Sequence, residues 1–200
     1  MDSQCVRYGH PQCYAKCLGD CSRSISREHY VSESILNRIS TTGGLLVSGM
    51  PWQAAGAAQE ISPNGLASKI LCEKHNSVLS DLDAAALNLF GVLDQIGHDI
   101  GKVKQGSIGW VRTFEGTHIE RWLLKVTLGV VAAGLARGIN GVQPKWEAMD
   151  HWVEILFGRY PVPQGCGLYV VRRETGRLTM EQGILFAPRV DDGLTRWQGF

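Results

Sequence analysis

The chain reads CYAKCLGDC over residues 13–21 and LCEKHN over residues 71–76. The first stretch contains Cys13, Cys17 and Cys21, with three residues between successive cysteines. The second contains Cys72 and His75, with two residues between them. Tetrahedral zinc takes thiolate and imidazole ligands, and structural zinc sites usually join one close pair of ligands to a second close pair. The two stretches therefore predict a zinc site formed by Cys72, His75 and two of the three N-terminal cysteines.

The distribution of cysteines supports metal binding over disulfides. Four of the six cysteines lie within the first 21 residues, and only Cys72 and Cys166 follow. The N-terminus is polar and lacks the apolar segment of a secretory signal peptide, which predicts a cytoplasmic location. Thiols stay reduced in the cytoplasm, so a cluster of cysteines there indicates a metal site. Cys5 and Cys166 are expected to be bystanders.

The composition is that of a folded protein with a real core. Hydrophobic residues make up 44% of the 200 residues and charged residues 20%, which excludes a disordered chain. The net charge is +1, whereas proteins that wrap long nucleic acids are strongly basic. Any contact with nucleic acid is therefore expected to be local. The longest apolar stretch, residues 122–136, contains Lys125 and is shorter than the roughly 20 residues of a membrane-spanning helix, so no membrane partner is expected.

The apolar pattern along the rest of the chain predicts both helices and strands. Apolar side chains at three- and four-residue spacing predict helices after Leu79, after Thr117 and from Pro144. Residues 105–114 predict a strand, and the tail from Gly167 predicts a small β region.

The start of the first long helix has two alternatives. Ser80 with Asp83 three residues later fits a capping box, which favours a new helix beginning near Ser80. A break within a longer helix that begins near Cys72 fits the same pattern. The sequence leaves both open.

A second motif lies between the two cysteine stretches, where residues 26–29 read SREH. A cysteine pair, then Glu28-His29, then a variable loop, then Cys72-x2-His75-Asn76 leading into a helix resembles the zinc-containing HNH endonuclease family. The resemblance covers residue 13 to about residue 90. It implies an α+β protein with a zinc-stapled ββα-metal (HNH-like) module within residues 1–100. Residues 101–200 would form a helical and β extension packed on that module.

The resemblance also bears on the N-terminal ligand pair. Cys21 is expected in either case, because it lies closest to the Glu-His step. In similar sequences a C-x7-C spacing precedes that step, which favours Cys13 as the second ligand. The shorter spacing of a simple zinc knuckle favours Cys17, and both alternatives stay open.

The catalytic residues of the family correspond to three positions of this chain. His29 matches the general base that takes a proton from water, Glu28 the acidic ligand of a catalytic ion, and Asn76 a second ligand of that ion. Neutral imidazole accepts a proton near pH 7, and Mg²⁺ or Mn²⁺ prefers oxygen ligands and stabilises charge on a phosphate. The resemblance therefore implies a metal-dependent endonuclease that hydrolyses phosphodiester bonds in DNA.

One departure from the family pattern supports an alternative function. The middle asparagine of the motif is missing, and the neighbourhood reads LASK over residues 66–69, with Asn64 and Ser68 as the nearest candidates. The alternative is a catalytically degenerate zinc-binding module that binds nucleic acid or protein. Glu28 paired with an arginine, or His29 directed into the core, would favour this alternative.

Overall fold

The computed structural model describes residues 7–40, 44–54, 56–100, 111–136, 149–167, 187–191 and 194–198. Its helices are α1 (Glu33–Ile39), α2 (Glu73–Val78), α3 (Ser80–Ile100), α4 (Gly116–Ala132) and α5 (Asp150–Leu156), with 3-10 helices at Lys16–Leu18 and Pro63–Leu66. Its strands are β1 (Ile25–His29), β2 (Leu45–Ser48), β3 (Ala58–Ile61), β4 (Ala67–Cys72), β5 (Ala187–Asp191) and β6 (Leu194–Gln198). In the described ranges the strands form three antiparallel pairs, β1–β4, β2–β3 and β5–β6. The predicted α+β class is confirmed.

The β1–β4 pair positions the two motifs next to each other. Strand β4 buries the apolar side chains of Ile70 and Leu71, which anchor it in the core. An irregularity in the ladder between Ser26 and Glu28 shifts the register of β1, as a β-bulge does. The register pairs Ile25 with Cys72, Ser26 with Leu71, Glu28 with Ser68 and His29 with Ala67.

Helix α2 follows β4 directly, and a separate helix α3 follows α2. The residue between the two helices, Leu79, is fully buried, and the backbone N–H of Leu82 donates to its carbonyl oxygen. The structure fits both predicted alternatives, because a helical run begins directly after Cys72, is interrupted only at Leu79, and continues as α3 from Ser80. The Ser80 hydroxyl donates to the carbonyl oxygen of Ser77 at 2.8 Å, so it caps the end of α2.

The C-terminal half of the chain shares its core with the N-terminal half. Helix α4 packs against α3 and α5, and the ring of Trp122 meets the ring of Phe90 edge-on at 5.7 Å. Side chains from the cysteine-rich N-terminus through Leu156 belong to one hydrophobic cluster. The boundary near residue 100 stays a prediction.

The remaining sequence predictions are partly covered by the described residues. The helix predicted after Thr117 is confirmed as α4, and the helix predicted from Pro144 is described as α5, with residues 137–148 outside the described ranges. The strand predicted over residues 105–114 lies largely outside them, and residues 111–114 have no regular secondary structure. The C-terminal β region is described as the β5–β6 hairpin, with residues 168–186 outside the described ranges. In the part of the chain that is described, no helix is long and apolar enough to cross a membrane.

Candidate metal centre

Four side chains from two distant segments of the chain come together at one point. They are Cys13, Cys21, Cys72 and His75, and their ligand atoms all lie within 4.8 Å of one another. The first two flank the 3-10 helix Lys16–Leu18, Cys72 ends β4, and His75 lies in the first turn of α2. This group can hold a metal ion such as zinc. It contains both residues of the predicted second pair and two of the three N-terminal cysteines.

The distances within the group fit a tetrahedral ion. His75 Nδ1 lies 3.4 Å from the sulfur of Cys13, 3.6 Å from that of Cys21 and 3.3 Å from that of Cys72. Zn–S bonds of about 2.3 Å and Zn–N bonds of about 2.0–2.1 Å at tetrahedral angles place the nitrogen and each sulfur roughly 3.6 Å apart. Three thiols and an imidazole are also the soft and borderline donors that zinc prefers over magnesium or calcium. The residues present therefore fit zinc.

The N-terminal knuckle is shaped by short-range hydrogen bonds and one left-handed residue. The backbone N–H of Gly19 donates to the oxygen of Lys16, and Gly19 ends the 3-10 helix at φ 74°. A glycine takes this conformation without the Cβ clash that other residues meet. The turn reverses the chain, so Cys13 and Cys21 lie on the same side of it. The backbone N–H of Tyr14 donates to the oxygen of Ile70, which fastens the knuckle to β4.

The Cys13 and Cys21 thiols would be neutral without a metal. Burial raises the pKa of both thiols above the ordinary value. A zinc ion binds thiolates, so its binding must release protons from these two groups.

The structure distinguishes between the two candidates for the fourth ligand. Cys13 is buried within the group, whereas Cys17 lies outside it with an exposed side chain. The 3-10 turn explains the difference, because Cys17 lies within the turn while Cys13 and Cys21 lie before and after it. The longer C-x7-C spacing thus describes the pair that the fold brings together.

Both ring nitrogens of His75 have contacts: Nδ1 faces the three sulfurs, and Nε2 faces Asp20. Its Nε2 lies 2.9 Å from Oδ1 of Asp20, and the other carboxylate oxygen of Asp20 lies 2.6 Å from Nζ of Lys74. The hydrogen bond from Lys74, and less strongly that from His75, lowers the pKa of Asp20. Burial lowers the pKa of His75, which favours the neutral imidazole that a metal requires.

Glu28, predicted as a ligand of a catalytic ion, is buried against a lysine. Lys125 of α4 is 3% exposed, and its Nζ lies 2.5 Å from Oε1 of Glu28. The same ammonium lies 2.7 Å from both carboxylate oxygens of Asp83 in α3. Burial raises the pKa of Glu28, and the Lys125 charge opposes that rise. This arrangement disfavours a catalytic ion on Glu28, because one oxygen of the buried carboxylate already faces a cation of the protein.

The lysine belongs to a larger polar network beneath β1. The Ser32 hydroxyl donates to Asp83, and the indole Nε1 of Trp122 donates to the Ser32 oxygen at 2.8 Å. The network therefore joins the N-terminus of α1 to α3 and α4. The buried ammonium of Lys125, with the carboxylates of Glu28 and Asp83, therefore links these elements structurally.

The other two predicted catalytic residues are His29 and Asn76. His29 is the last residue of β1, and Asn76 lies within α2. Both are half-buried. The Nε2 atom of His29 is buried and has no hydrogen-bond partner among the described residues. Such an orphaned group calls for an explanation, such as a water, an ion or a functional role. Asn76 follows the candidate ligand His75 directly, so a metal bound by the group would hold this part of α2 in place.

The candidates for the missing middle residue of the motif have other contacts. The Ser68 hydroxyl is hydrogen-bonded to that of Tyr30, and the backbone oxygen of Asn64 accepts from Arg27 at 2.9 Å.

Sequence analysis did not assign Asp20, Asp83 or Lys125 to a site. Asp20 had one signal, since it precedes Cys21 in the knuckle. Lys125 also had a signal, as the basic residue in an otherwise apolar helical stretch. A buried lysine needs a carboxylate partner, but the sequence does not say which one.

Comparison of the chain with protein-family models, with curated proteins and with solved structures found no match.

Proposed function

We propose that this chain is a zinc-stapled, HNH-like module that binds DNA and in which the metal has a structural role. The observation that carries the zinc assignment is the convergence of Cys13, Cys21, Cys72 and His75 within 4.8 Å. When bound, zinc supplies a cross-link between the N-terminal knuckle and the β4–α2 junction. In zinc-finger peptides, which have little core of their own, structural zinc contributes about 10–16 kcal/mol of apparent binding free energy at neutral pH, and part of such binding energy stabilises the fold.

The proposal of DNA as partner is supported by the exposed basic side chains of the β1–β4 pair. Arg27 of β1 and Lys69 of β4 are exposed, and Arg23 is exposed just before β1. Cations on a short ribbon suit contact with a few phosphates, in line with the net charge of +1. Such contacts position a protein on nucleic acid without reading its sequence.

The proposal of a non-hydrolytic module is supported by the contact between Glu28 and Lys125. A buried carboxylate with one oxygen 2.5 Å from an ammonium nitrogen is a poor ligand for a catalytic ion. No step of hydrolysis is therefore assigned to Glu28 or to an ion held by it.

The second candidate function is phosphodiester hydrolysis in DNA. It is favoured by the position of His29, which ends β1 next to the strand that leads into α2. The burial of its Nε2 atom weighs against this function. In this function His29 would accept the proton of an attacking water, as a neutral imidazole does near pH 7. Asn76 would lie on the helix that faces the substrate.

A binding experiment tests the first proposal. Fluorescence anisotropy of a labelled DNA duplex is measured over a range of salt concentrations with the wild-type protein. The Arg27→Ala/Lys69→Ala double variant should bind more weakly, and its slope of log K against log salt should be lower in magnitude by about 1.8 for two lost phosphate contacts. Arg38→Ala is the matched control, since Arg38 is a half-exposed arginine that pairs with Asp94 on another face. Equal slopes for all three proteins would contradict the proposed surface.

A cleavage experiment separates the two functions. Plasmid and single-stranded DNA are incubated with the zinc-loaded wild type and with His29→Ala at the same zinc content, in the presence of Mg²⁺ or Mn²⁺. We expect DNA binding without cleavage. Cleavage by the wild type that disappears in His29→Ala would overturn the non-hydrolytic proposal and establish the second candidate.

A further inference from the structure

We infer that Asp20 is a positioning residue of the metal centre: its carboxylate orients the imidazole of His75 so that Nδ1 faces the three thiols. This inference rests on the proposed zinc-binding function. It assigns a role to a residue that donates no ligand atom to the group of four.

The two ring nitrogens of His75 have different partners. Nδ1 of His75 lies 3.3 Å from the nearest of the three sulfurs, and Nε2 lies 2.9 Å from Oδ1 of Asp20. A neutral imidazole carries one N–H, and a carboxylate can only accept a hydrogen bond. The proton therefore belongs on Nε2, which leaves the lone pair of Nδ1 for a metal. Metal-bound histidines commonly donate their second N–H to a carboxylate in this way.

Asp20 is itself held in place by a second contact. Its other oxygen, Oδ2, lies 2.6 Å from Nζ of Lys74, the residue before His75. Asp20 also precedes Cys21, so one carboxylate joins the segment of the knuckle ligand to the segment of the helix ligand. The pair of Lys74 and Asp20 is about half-exposed on both sides, and exposed pairs add little stability by themselves. The contact therefore matters for orientation.

The charges around the centre and the packing of the His75 ring also favour this role. Three thiolates around a dication leave one negative charge, and the Asp20 carboxylate adds another. The Lys74 ammonium offsets this excess. The ring of Phe157 meets the ring of His75 edge-on at 5.0 Å, which restricts rotation of the imidazole.

A zinc competition titration with a chromophoric chelator tests the inference. The proteins are the wild type, Asp20→Ala, Asp20→Asn and the control Asp94→Asn, which alters another exposed, ion-paired carboxylate. We expect Asp20→Ala to bind zinc about 10–100-fold more weakly than the wild type. Asp20→Asn keeps an oxygen acceptor and should lie between the two, while Asp94→Asn should match the wild type.

A second measurement is the tautomer of His75. A purely structural role of Asp20 would not affect which ring nitrogen carries the proton. In the zinc-loaded wild type, two-bond ¹H–¹⁵N spectra should show His75 protonated at Nε2 and metal-bound at Nδ1. The spectrum of zinc-loaded Asp20→Ala should show faster exchange of the Nε2 proton with water. If Asp20→Ala does not fold, the wild-type spectrum alone decides, because metal on Nε2 would overturn the inference.

The outcomes distinguish the inference from the function on which it rests. A wild-type protein that binds no zinc would overturn the proposed metal centre itself. If the wild type binds zinc tightly and Asp20→Ala binds it within about twofold of the same affinity, the role of Asp20 is overturned. The proposed metal centre would then still stand.

Discussion

Replacing Lys125 by methionine should destabilise this protein more than most single substitutions. The lysine is 3% exposed, and its ammonium contacts Glu28 and Asp83 in the interior. Methionine keeps an unbranched chain that can follow the same path through the core, but it carries no charge. The variant would therefore leave two carboxylates together without their counter-charge.

The expected magnitude follows from the burial of the three groups. Removing one partner of a buried ion pair costs about 3–5 kcal/mol, because the remaining charge is uncompensated. Glu28 is 5% exposed and has little access to water, whereas the side chain of Asp83 is 29% exposed. Asp83 also keeps the hydrogen bond from Ser32. We therefore expect a loss of about 3 kcal/mol near neutral pH, at the lower end of that range.

The loss should depend on pH in a defined direction. Burial already raises the pKa of Glu28 in the folded protein, and removal of the Lys125 charge removes the main opposing contribution. A carboxyl whose pKa is higher in the folded state binds more protons there than in the unfolded chain, so stability falls as pH rises above the ordinary glutamate pKa. The gap between variant and wild type should thus be small at acidic pH and widen towards neutral pH. Adding Glu28→Gln to the variant should recover much of the loss at neutral pH.

Urea unfolding followed by tryptophan fluorescence and circular dichroism measures this effect, with the zinc concentration and pH matched between proteins. Lys69→Met is the control, because Lys69 is exposed on β4 and surface substitutions usually change stability by less than about 0.5 kcal/mol. The reasoning is refuted if Lys125→Met matches this control near neutral pH, or if its loss is the same at acidic and neutral pH.

Two further pairs of substitutions test the metal centre and the backbone. Cys72→Ser should lose stoichiometric zinc, measured by elemental analysis of the purified protein, and should unfold at a lower urea concentration than the zinc-loaded wild type. Cys17→Ser should keep its zinc by the same analysis, and equal zinc loss in the two variants would place Cys17 in the centre. Gly19→Ala should lower the free energy of unfolding by roughly 1–2 kcal/mol, because Gly19 has φ 74°. Gly91→Ala in α3 should raise the free energy of unfolding by about 0.5–1 kcal/mol, because alanine favours a helix interior more than glycine does. The new Cβ has room, since its nearest atom, Nη1 of Arg38, lies at 3.8 Å. Shifts of the same sign in the two glycine variants, measured by urea unfolding, would contradict this argument.

Much of the candidate metal site was predictable from local sequence. Cys72 and His75 are three residues apart, and as the N-cap and a first-turn residue of α2 they are brought together by local geometry. Cys21 follows from its position in the knuckle. The choice between Cys13 and Cys17 was not predictable from spacing alone. It depends on the 3-10 turn at Lys16–Leu18 and on the hydrogen bond from Tyr14 to β4, which direct the chain between the two cysteines.

The surroundings of the expected catalytic residues, in contrast, were not predictable from local sequence. The step Glu28-His29 is visible in the sequence, but its surroundings are not. Lys125 lies almost a hundred residues further on. The apolar spacing of that stretch predicts a helix correctly, yet periodicity does not say which neighbour the helix will face.

The sequence by itself therefore determined the helices of strong periodicity, the α+β class and the donor types of a metal centre, because these depend on residues a few positions apart. Only the tertiary structure decided that Cys13 belongs to the centre, that Asp20 meets His75, and that Lys125 pairs with Glu28 and Asp83. The physical reason is that a buried charge must find its partner in space. Which partner it finds depends on how α3 and α4 pack beneath β1, and that packing is a property of the whole core.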